Sequence, residues 1–298
     1  MNRMGGSRFA AAAARGCLGV ALLSLSTVTL RAQPARIVST APSITEMLFA
    51  LGLGGRVAGV TEYCRYPADA LRVRKIGTYI QPNIEAILSL TPDLVVIQEN
   101  PARLKEKFEA VGLNVLELRH TTVGDVYESI AILGRMTGAG DRATALNAEI
   151  RGRLDEIGRR TSRRPRRRMM LIVGRTPHAI EGLVAVGRAS YLNELIAIAG
   201  GENVFAAAAA PYPKVSLEEV LARDPEVIVD MGEMADTVGV TDEQKRRVVE
   251  LWRRYPNLAA VRRGAVFAVA SDIFVVPGPR MVEAAAAFGR MLHPEAGW

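Results

Sequence analysis

Three histidines, two cysteines and an aromatic content of 5% leave this 298-residue chain short of the groups most catalytic sites use. His120, His178 and His293 share no short spacing. No HExxH, CxxC, GxSxG or GxxxxGK(S/T) pattern occurs. Zinc hydrolysis, dithiol redox chemistry, acyl transfer from a nucleophile elbow and phosphate-loop chemistry therefore lose their usual carriers. Carboxylate pairs occur only at helix-surface spacing. A binding protein is the expectation, with an enzyme as the alternative from another class.

Cysteine scarcity also bounds the fold. Cys64 is the only cysteine beyond the first 32 residues. No internal disulfide can form there, so core packing must hold the molecule. Cys64 itself reads as a small buried apolar residue in preference to a metal ligand. Long hydrophobic runs are scarce too. One runs from Cys17 to Leu30, about 14 residues, which is short for a bilayer span. Arg3, Arg8 and Arg15 precede it and Ala32 follows, the order of a secretory signal peptide over residues 1–32. Export to the periplasm with cleavage is expected; an uncleaved anchor is the other reading. Cys17 precedes the apolar run, which argues against a lipoprotein. Loss of four arginines with that segment leaves 34 basic and 31 acidic residues. Seven arginines fall between 159 and 168 with no aromatic among them. That is the pattern of a solvated helix end, not of a nucleic-acid surface, so no nucleic-acid partner is expected.

What the chain does have is a repeat. Residues 83–96 (NIEAILSLTPDLVV) and 216–229 (SLEEVLARDPEVIV) lie 133 positions apart. Glu85/Glu218, Leu88/Leu221, Pro92/Pro225 and Val96/Val229 are identical, and Tyr79 pairs with Tyr212 at the same offset. A weaker echo links Ser43–Gly52 with Ala189–Gly200, aligning Glu46 with Glu194. Each half thus has a helix ending in Gly, a loop bearing Tyr, a helix bearing Glu, then Pro and a strand. Two similar lobes with a ligand cleft between them is the natural reading.

Apolar, β-branched runs predict strands at Ile37–Ser39, Val57–Thr61, Leu94–Gln98, Val115–Leu118, Met170–Val173, Val227–Asp230 and Val266–Ala270. Helical periods separate them, giving an α/β fold with mainly parallel sheets. Ser43 to Leu51 forms one such helix, stopped by Gly52. Asn83 and Ser216 cap the repeated helices. From Asp141 to about Arg160 the period is unbroken, with Leu146, Ile150, Leu154 and Ile157 on one face. Its midway position makes it the expected connector: lobe 35–138, helix 139–163, lobe 164–298.

Tyr63, Tyr66 and Tyr79 fall in loops of the first half and Tyr212 between two prolines of the second. Asp272 and Phe274 follow the last strand. Tyr63, Tyr79, Tyr212, Asp272 and Phe274 are the candidate ligand contacts, since aromatic rings supply flat apolar area with a polar handle. Tyrosines at loop–core boundaries are the plainer alternative. Glu85 and Glu218 each occupy the first turn of a capped helix, where the dipole favours a carboxylate; equal placement also offers one exposed acid per lobe to a two-sided partner. His178, in a loop of the second half, is either solvent-facing or, as a neutral imidazole, a metal ligand.

The phrases RIVSTAPSITEMLFALG, GVTEYCRYP, PNIEAILSLTP, GGENVF and PYPKVSLEEVLARDPEVIV together resemble the helical-backbone substrate-binding proteins of ABC importers. The resemblance covers nearly all of the chain beyond residue 35 and is nearest to the cobalamin-binding members, with haem and ferric-siderophore binders sharing the fold. It implies two α/β lobes joined by one long rigid helix, with the transported chelate in the cleft and no intrinsic cofactor. It implies docking on a permease, served by ATPase subunits, through Glu85 and Glu218. It places cleft aromatics at Tyr63, Tyr79 and Tyr212, the latter two tryptophan in the cobalamin binder, and an acidic cleft residue at Asp272. A disulfide half of that binder falls on Ala199 and a cleft arginine on Val276. Those departures leave corrinoid precursors, or another chelate, as further ligands to weigh beside intact cobalamin.

Overall fold

In the computed structural model, residues 33–99, 103–232 and 239–298 are described. The expected signal segment, residues 1–32, lies outside them. Residues 33–298 form one compact unit.

The first lobe runs β1 (Ile37–Ser39), α1 (Pro42–Ala50), β2 (Val57–Val60), α2 (Ile84–Ser89), β3 (Leu94–Gln98), α3 (Leu104–Glu109), β4 (Val115–Leu118) and α4 (Val123–Thr137). Its sheet has the order β2-β1-β3-β4 and every pairing is parallel. Helix α5 (Gly140–Thr161) follows. Its 22 residues span about 33 Å. The second lobe runs β5 (Arg167–Gly174), β6 (Leu183–Ala185), α6 (Tyr191–Ile198), β7 (Gly201–Asn203), β8 (Lys214–Val215), α7 (Leu217–Arg223), β9 (Val227–Asp230), α8 (Asp242–Arg253), α9 (Ala259–Arg262), β10 (Val266–Ala268) and α10 (Met281–Leu292). Here the order is β10-β9-β5-β6-β8, with β7 paired to β5. The β5–β6 and β6–β8 pairings are antiparallel. No helix among the described residues is long and apolar enough to cross a membrane.

The repeat has a structural meaning. Asn83 Oδ1 accepts from the Ala86 amide at 2.8 Å, and Ser216 Oγ from the Glu219 amide at 3.2 Å. These caps start α2 and α7 in register with the strands that follow. After each Pro comes an acid that fastens the lobe's first strand. Asp93 Oδ2 accepts the Arg36 amide at 2.8 Å, and Glu226 Oε2 accepts the Arg168 amide at 3.1 Å. The weaker echo is structural as well. Helices α1 and α6 both end before a left-handed glycine, Gly52 at φ 74° and Gly200 at φ 82°, a conformation that glycine adopts without a Cβ penalty.

One apolar cluster runs through both lobes. It takes Ile37, Met47 and Leu48 from the first, Ile150, Leu154 and Ile157 from α5, and Leu171, Val229 and Phe288 from the second. Separate clusters cover the outer face of each sheet. A core that crosses the junction resists hinge bending, because opening would expose closely packed apolar surface. The arginines of 159–168 lie around the end of α5 and the start of β5. Arg159 and Arg160 pair with Glu156, Arg164 and Arg167 with Glu295, and Arg168 with Glu226. Cys64 is fully buried, accepts a hydrogen bond from Thr45 Oγ1 at 3.1 Å, and burial pushes its thiol up.

Candidate functional site

Two concavities lie between the lobes and meet at Gln98, Val275 and Pro277. The first has a volume of about 570 Å³ and takes Tyr63, Thr78, Tyr79 and Ile80 from the first lobe and Asp272 and Val276 from the second. The second, about 530 Å³, takes Glu99, His120 and Thr121 from the first lobe and Ser190, Tyr191 and Tyr212 from the second. Each alone falls in the range of about 300–1,000 Å³ typical of small-ligand pockets; together they accommodate something larger. Large apolar side chains are left in water here: Tyr63 is 47% exposed, Ile80 66% and Tyr212 44%. Grouped around one cleft, they mark a surface meant to be covered.

The expected contacts divide. Tyr63, Tyr79, Tyr212 and Asp272 all line the cleft, and so does Val276. Phe274 does not. It is 3% exposed and packs its ring on Phe288 at 5.4 Å, because the 3-10 turn Asp272–Phe274 rotates it onto α10. Its role is core packing, which corrects the expectation. His178 is exposed in a left-handed turn at φ 58°. It borders a different concavity, within the second lobe beside Arg175 and Asp230, so it is not placed to ligate a metal in the cleft. Glu85 and Glu218 are exposed on the first turns of α2 and α7. The helix start and Ser216 hold the Glu218 carboxyl below the usual range.

The cleft residue Asp272 is bonded to a cluster that the sequence did not announce. Arg280, at the N-terminus of α10 in the second lobe, donates from Nε to Glu46 Oε2 at 3.1 Å and from Nη2 to Glu46 Oε1. Glu46 sits on α1 of the first lobe. The same guanidinium donates to both oxygens of Asp272, at 3.2 and 2.9 Å. Tyr66 caps its outer face, with the guanidinium 3.9 Å from the ring centroid. Bidentate geometry of this kind suits arginine and not lysine. Glu46 is 3% exposed, and burial pushes its carboxyl up to about 7 against the pull of Arg280. Burial opposes the charge on Arg280, but the two carboxylates outweigh it and hold the guanidinium above its ordinary range. The repeat-related Glu194 also crosses the junction, accepting the Val123 amide of α4 at 3.3 Å. Equivalent glutamates thus tie each lobe to the other. Asp272 is already engaged by Arg280, so it offers a ligand only part of its capacity.

His120, two residues beyond β4, is 5% exposed, and its Nδ1 lies 3.0 Å from Ser43 Oγ. Burial pushes the imidazole down to about 4, with Asp125 pulling weakly the other way. Between about 4 and 6.5 the folded protein then binds fewer protons than the unfolded chain. The stability is fully present above that window and is lost as pH falls through it. Urea unfolding near pH 7.5 and near pH 4.5 should show the wild type losing roughly 2–3 kcal/mol more than His120→Leu. Glu46, with its raised carboxyl, contributes the opposite slope, but equally in both proteins. Equal losses would mean that the imidazole titrates normally.

No group of three or more His, Cys, Asp or Glu side chains suited to a metal occurs among the described residues. The comparisons with known proteins agree with the geometry. Residues 37–273 match the family model described as "Periplasmic binding protein". A vitamin B12-binding protein of Yersinia pestis is 30% identical over 268 residues, covering 89% of each chain. One of Vibrio cholerae is 28% identical over 252 residues, covering 84% of this chain and 86% of its own. The crystal structure of the periplasmic vitamin B12 binding protein BtuF of Vibrio cholerae superposes with a TM-score of 0.74 at 25% identity, covering 89% of this chain and 99% of that one. The haem-binding protein RhuT of Roseiflexus shares the fold, with a TM-score of 0.73 at 24% identity, covering 88% and 98%. On the extent of the family match and the two-lobed architecture, the chain belongs to the periplasmic binding protein family.

Proposed function

We propose that this chain is the exported substrate-binding protein of an ABC importer, capturing cobalamin or a related corrinoid between its lobes and delivering it to the permease. The observation that carries the reading is the cleft: two joined concavities, walled by exposed tyrosines from both lobes, in a chain similar throughout to vitamin B12-binding proteins. Residues 1–32 would serve as the cleaved export signal. Glu85 and Glu218 would meet the permease, whose ATPase subunits drive release and uptake. No step in this cycle changes a bond of the ligand, in keeping with the missing catalytic motifs.

Tyr79 and Tyr212 supply the test. Each should bury much of its ring against the ligand, so Tyr79→Ala and Tyr212→Ala should each weaken cyanocobalamin binding by about 1–3 kcal/mol. Titration calorimetry reads the change directly. Unchanged affinity in both variants would place the ligand contacts elsewhere. Tight haemin binding without cyanocobalamin binding would instead assign the cleft to haem.

A further inference from the structure

Three buried side-chain atoms among the described residues lack a hydrogen-bond partner: His120 Nε2, Tyr191 Oη and Asn147 Oδ1. Two of the three belong to residues lining the same cavity, the half of the cleft that holds Tyr212. They come from opposite lobes. His120 lies two residues beyond β4 of the first, and Tyr191 opens α6 of the second. Tyr191 is 2% exposed and His120 5%. A buried polar atom left unpaired costs about 1–3 kcal/mol, and folded proteins keep few of them. Two on residues that line one binding cavity are best explained by a ligand that pairs them when the cavity is filled.

The hydrogen-bond roles of the two atoms differ. Ser43 Oγ donates to Gln98 Oε1 at 3.3 Å, which commits its only proton. With its proton so placed, Ser43 Oγ accepts from His120 Nδ1–H at 3.0 Å. That tautomer leaves Nε2 with a bare lone pair, an acceptor. The depressed imidazole stays neutral near pH 7 and keeps it so. Tyr191 Oη retains its proton, since burial pushes the phenol well above its ordinary range, and it supplies a donor.

We infer that this half of the cleft is a subsite for primary carboxamide groups on the rim of the ligand. A carboxamide offers N–H donors to His120 Nε2 and a carbonyl acceptor to Tyr191 Oη. A carboxylate offers acceptors only, so it would satisfy the tyrosine and leave the imidazole lone pair facing a negative charge. A corrin rim bears primary carboxamides, whereas a haem edge bears carboxylates. The subsite thus deepens the proposed function, on which it rests, by giving the cleft a reason to prefer the amidated macrocycle.

Three ligands separate the outcomes: cyanocobalamin, the monocarboxylic acids made from it by mild acid hydrolysis, and haemin. Their affinities are measured for the wild type, Tyr191→Phe and His120→Leu. Each substitution should weaken cyanocobalamin about 5- to 10-fold, the effect of one lost hydrogen bond. At least one monocarboxylic acid should bind the wild type more weakly than cyanocobalamin by a similar factor, and lose less on His120→Leu. Haemin affinity should not fall on His120→Leu, because a carboxylate has no N–H to give the imidazole. Unliganded Tyr191→Phe should melt at or above the wild-type temperature, because it removes an unpaired hydroxyl and no contact. That result separates a lost ligand contact from a damaged fold. If cyanocobalamin binds both variants as it binds the wild type, water satisfies these atoms and the subsite is overturned while the proposed function stands. If the wild type does not bind cyanocobalamin, the subsite and the proposed function fall together.

Discussion

Arg280→Met is expected to destabilise the protein by roughly 2–3 kcal/mol near pH 8, because a buried carboxylate then loses its hydrogen bonds and must hold its charge unpaired or take up a proton. That carboxylate is Glu46, 3% exposed and bonded through both oxygens to the Nε–Nη2 edge of the guanidinium. Asp272 is less affected, because its side chain is 29% exposed and turns to water. The loss should shrink near pH 5. The Glu46 carboxyl already stands at about 7 in the folded protein, raised from an ordinary 4.5. An acid raised on folding favours the folded state at low pH, and that contribution is lost as pH rises through its folded value. Without Arg280 the value climbs further, so the carboxyl is neutral near pH 5 and the vacancy is cheaper. Urea unfolding at the two pH values checks this. Glu46→Gln combined with Arg280→Met should cost less than Arg280→Met alone, which identifies the buried charge as the cause. A loss of under 1 kcal/mol near pH 8 would mean that the Glu46–Arg280 contact contributes little to holding the lobes together.

The Glu85→Arg, Glu218→Arg double variant has the largest expected effect on transport. It should fold and bind ligand as the wild type does, yet fail to support uptake by its importer. Both residues are exposed at matching places on α2 and α7, away from the cleft. One helical turn on, Leu88 and Leu221 are 41% and 40% exposed, so each acid stands beside an apolar side chain left in water. An acid flanked by exposed leucine, repeated on both lobes, suits a two-point contact with a basic, partly apolar surface. The single variants should be non-additive, since failure of either lobe to dock spoils the complex. Ligand titration and vesicle uptake on the same preparations decide it. Normal uptake by the double variant would return both glutamates to the role of ordinary first-turn residues.

The parts of this architecture that were legible in the sequence are those governed by local rules. The runs at Ile37–Ser39, Leu94–Gln98, Val115–Leu118 and Val227–Asp230 became strands over the same residues, because continuous apolar β-branched segments have few alternatives in an α/β core. The helix expected at 141–160 spans Gly140–Thr161. β6, β7 and β8 were not anticipated: they hold two or three residues each, include Gly, Glu and Lys, and owe their existence to pairing in the second sheet. Tyr79 and Tyr212 announced themselves through the repeat. Phe274 was misplaced because its position after a strand resembles that of a cleft loop, and only the turn that carries it onto Phe288 reveals the core role. Glu46 and Arg280 are 234 residues apart, and nothing local marks them as partners. His120 and Tyr191 carry no motif at all; their significance lies in what they do not touch, which only a folded chain can show.

The central claim is that the interlobe cleft selects a corrinoid, and a competition experiment tests it most directly. The purified protein is incubated with equimolar cyanocobalamin and haemin, freed of unbound ligand by desalting, and analysed by native mass spectrometry together with its absorbance spectrum. One cyanocobalamin per chain and the visible bands of a corrinoid are expected. A Soret band with the mass of bound haem, or a chain that retains neither ligand, would contradict the claim.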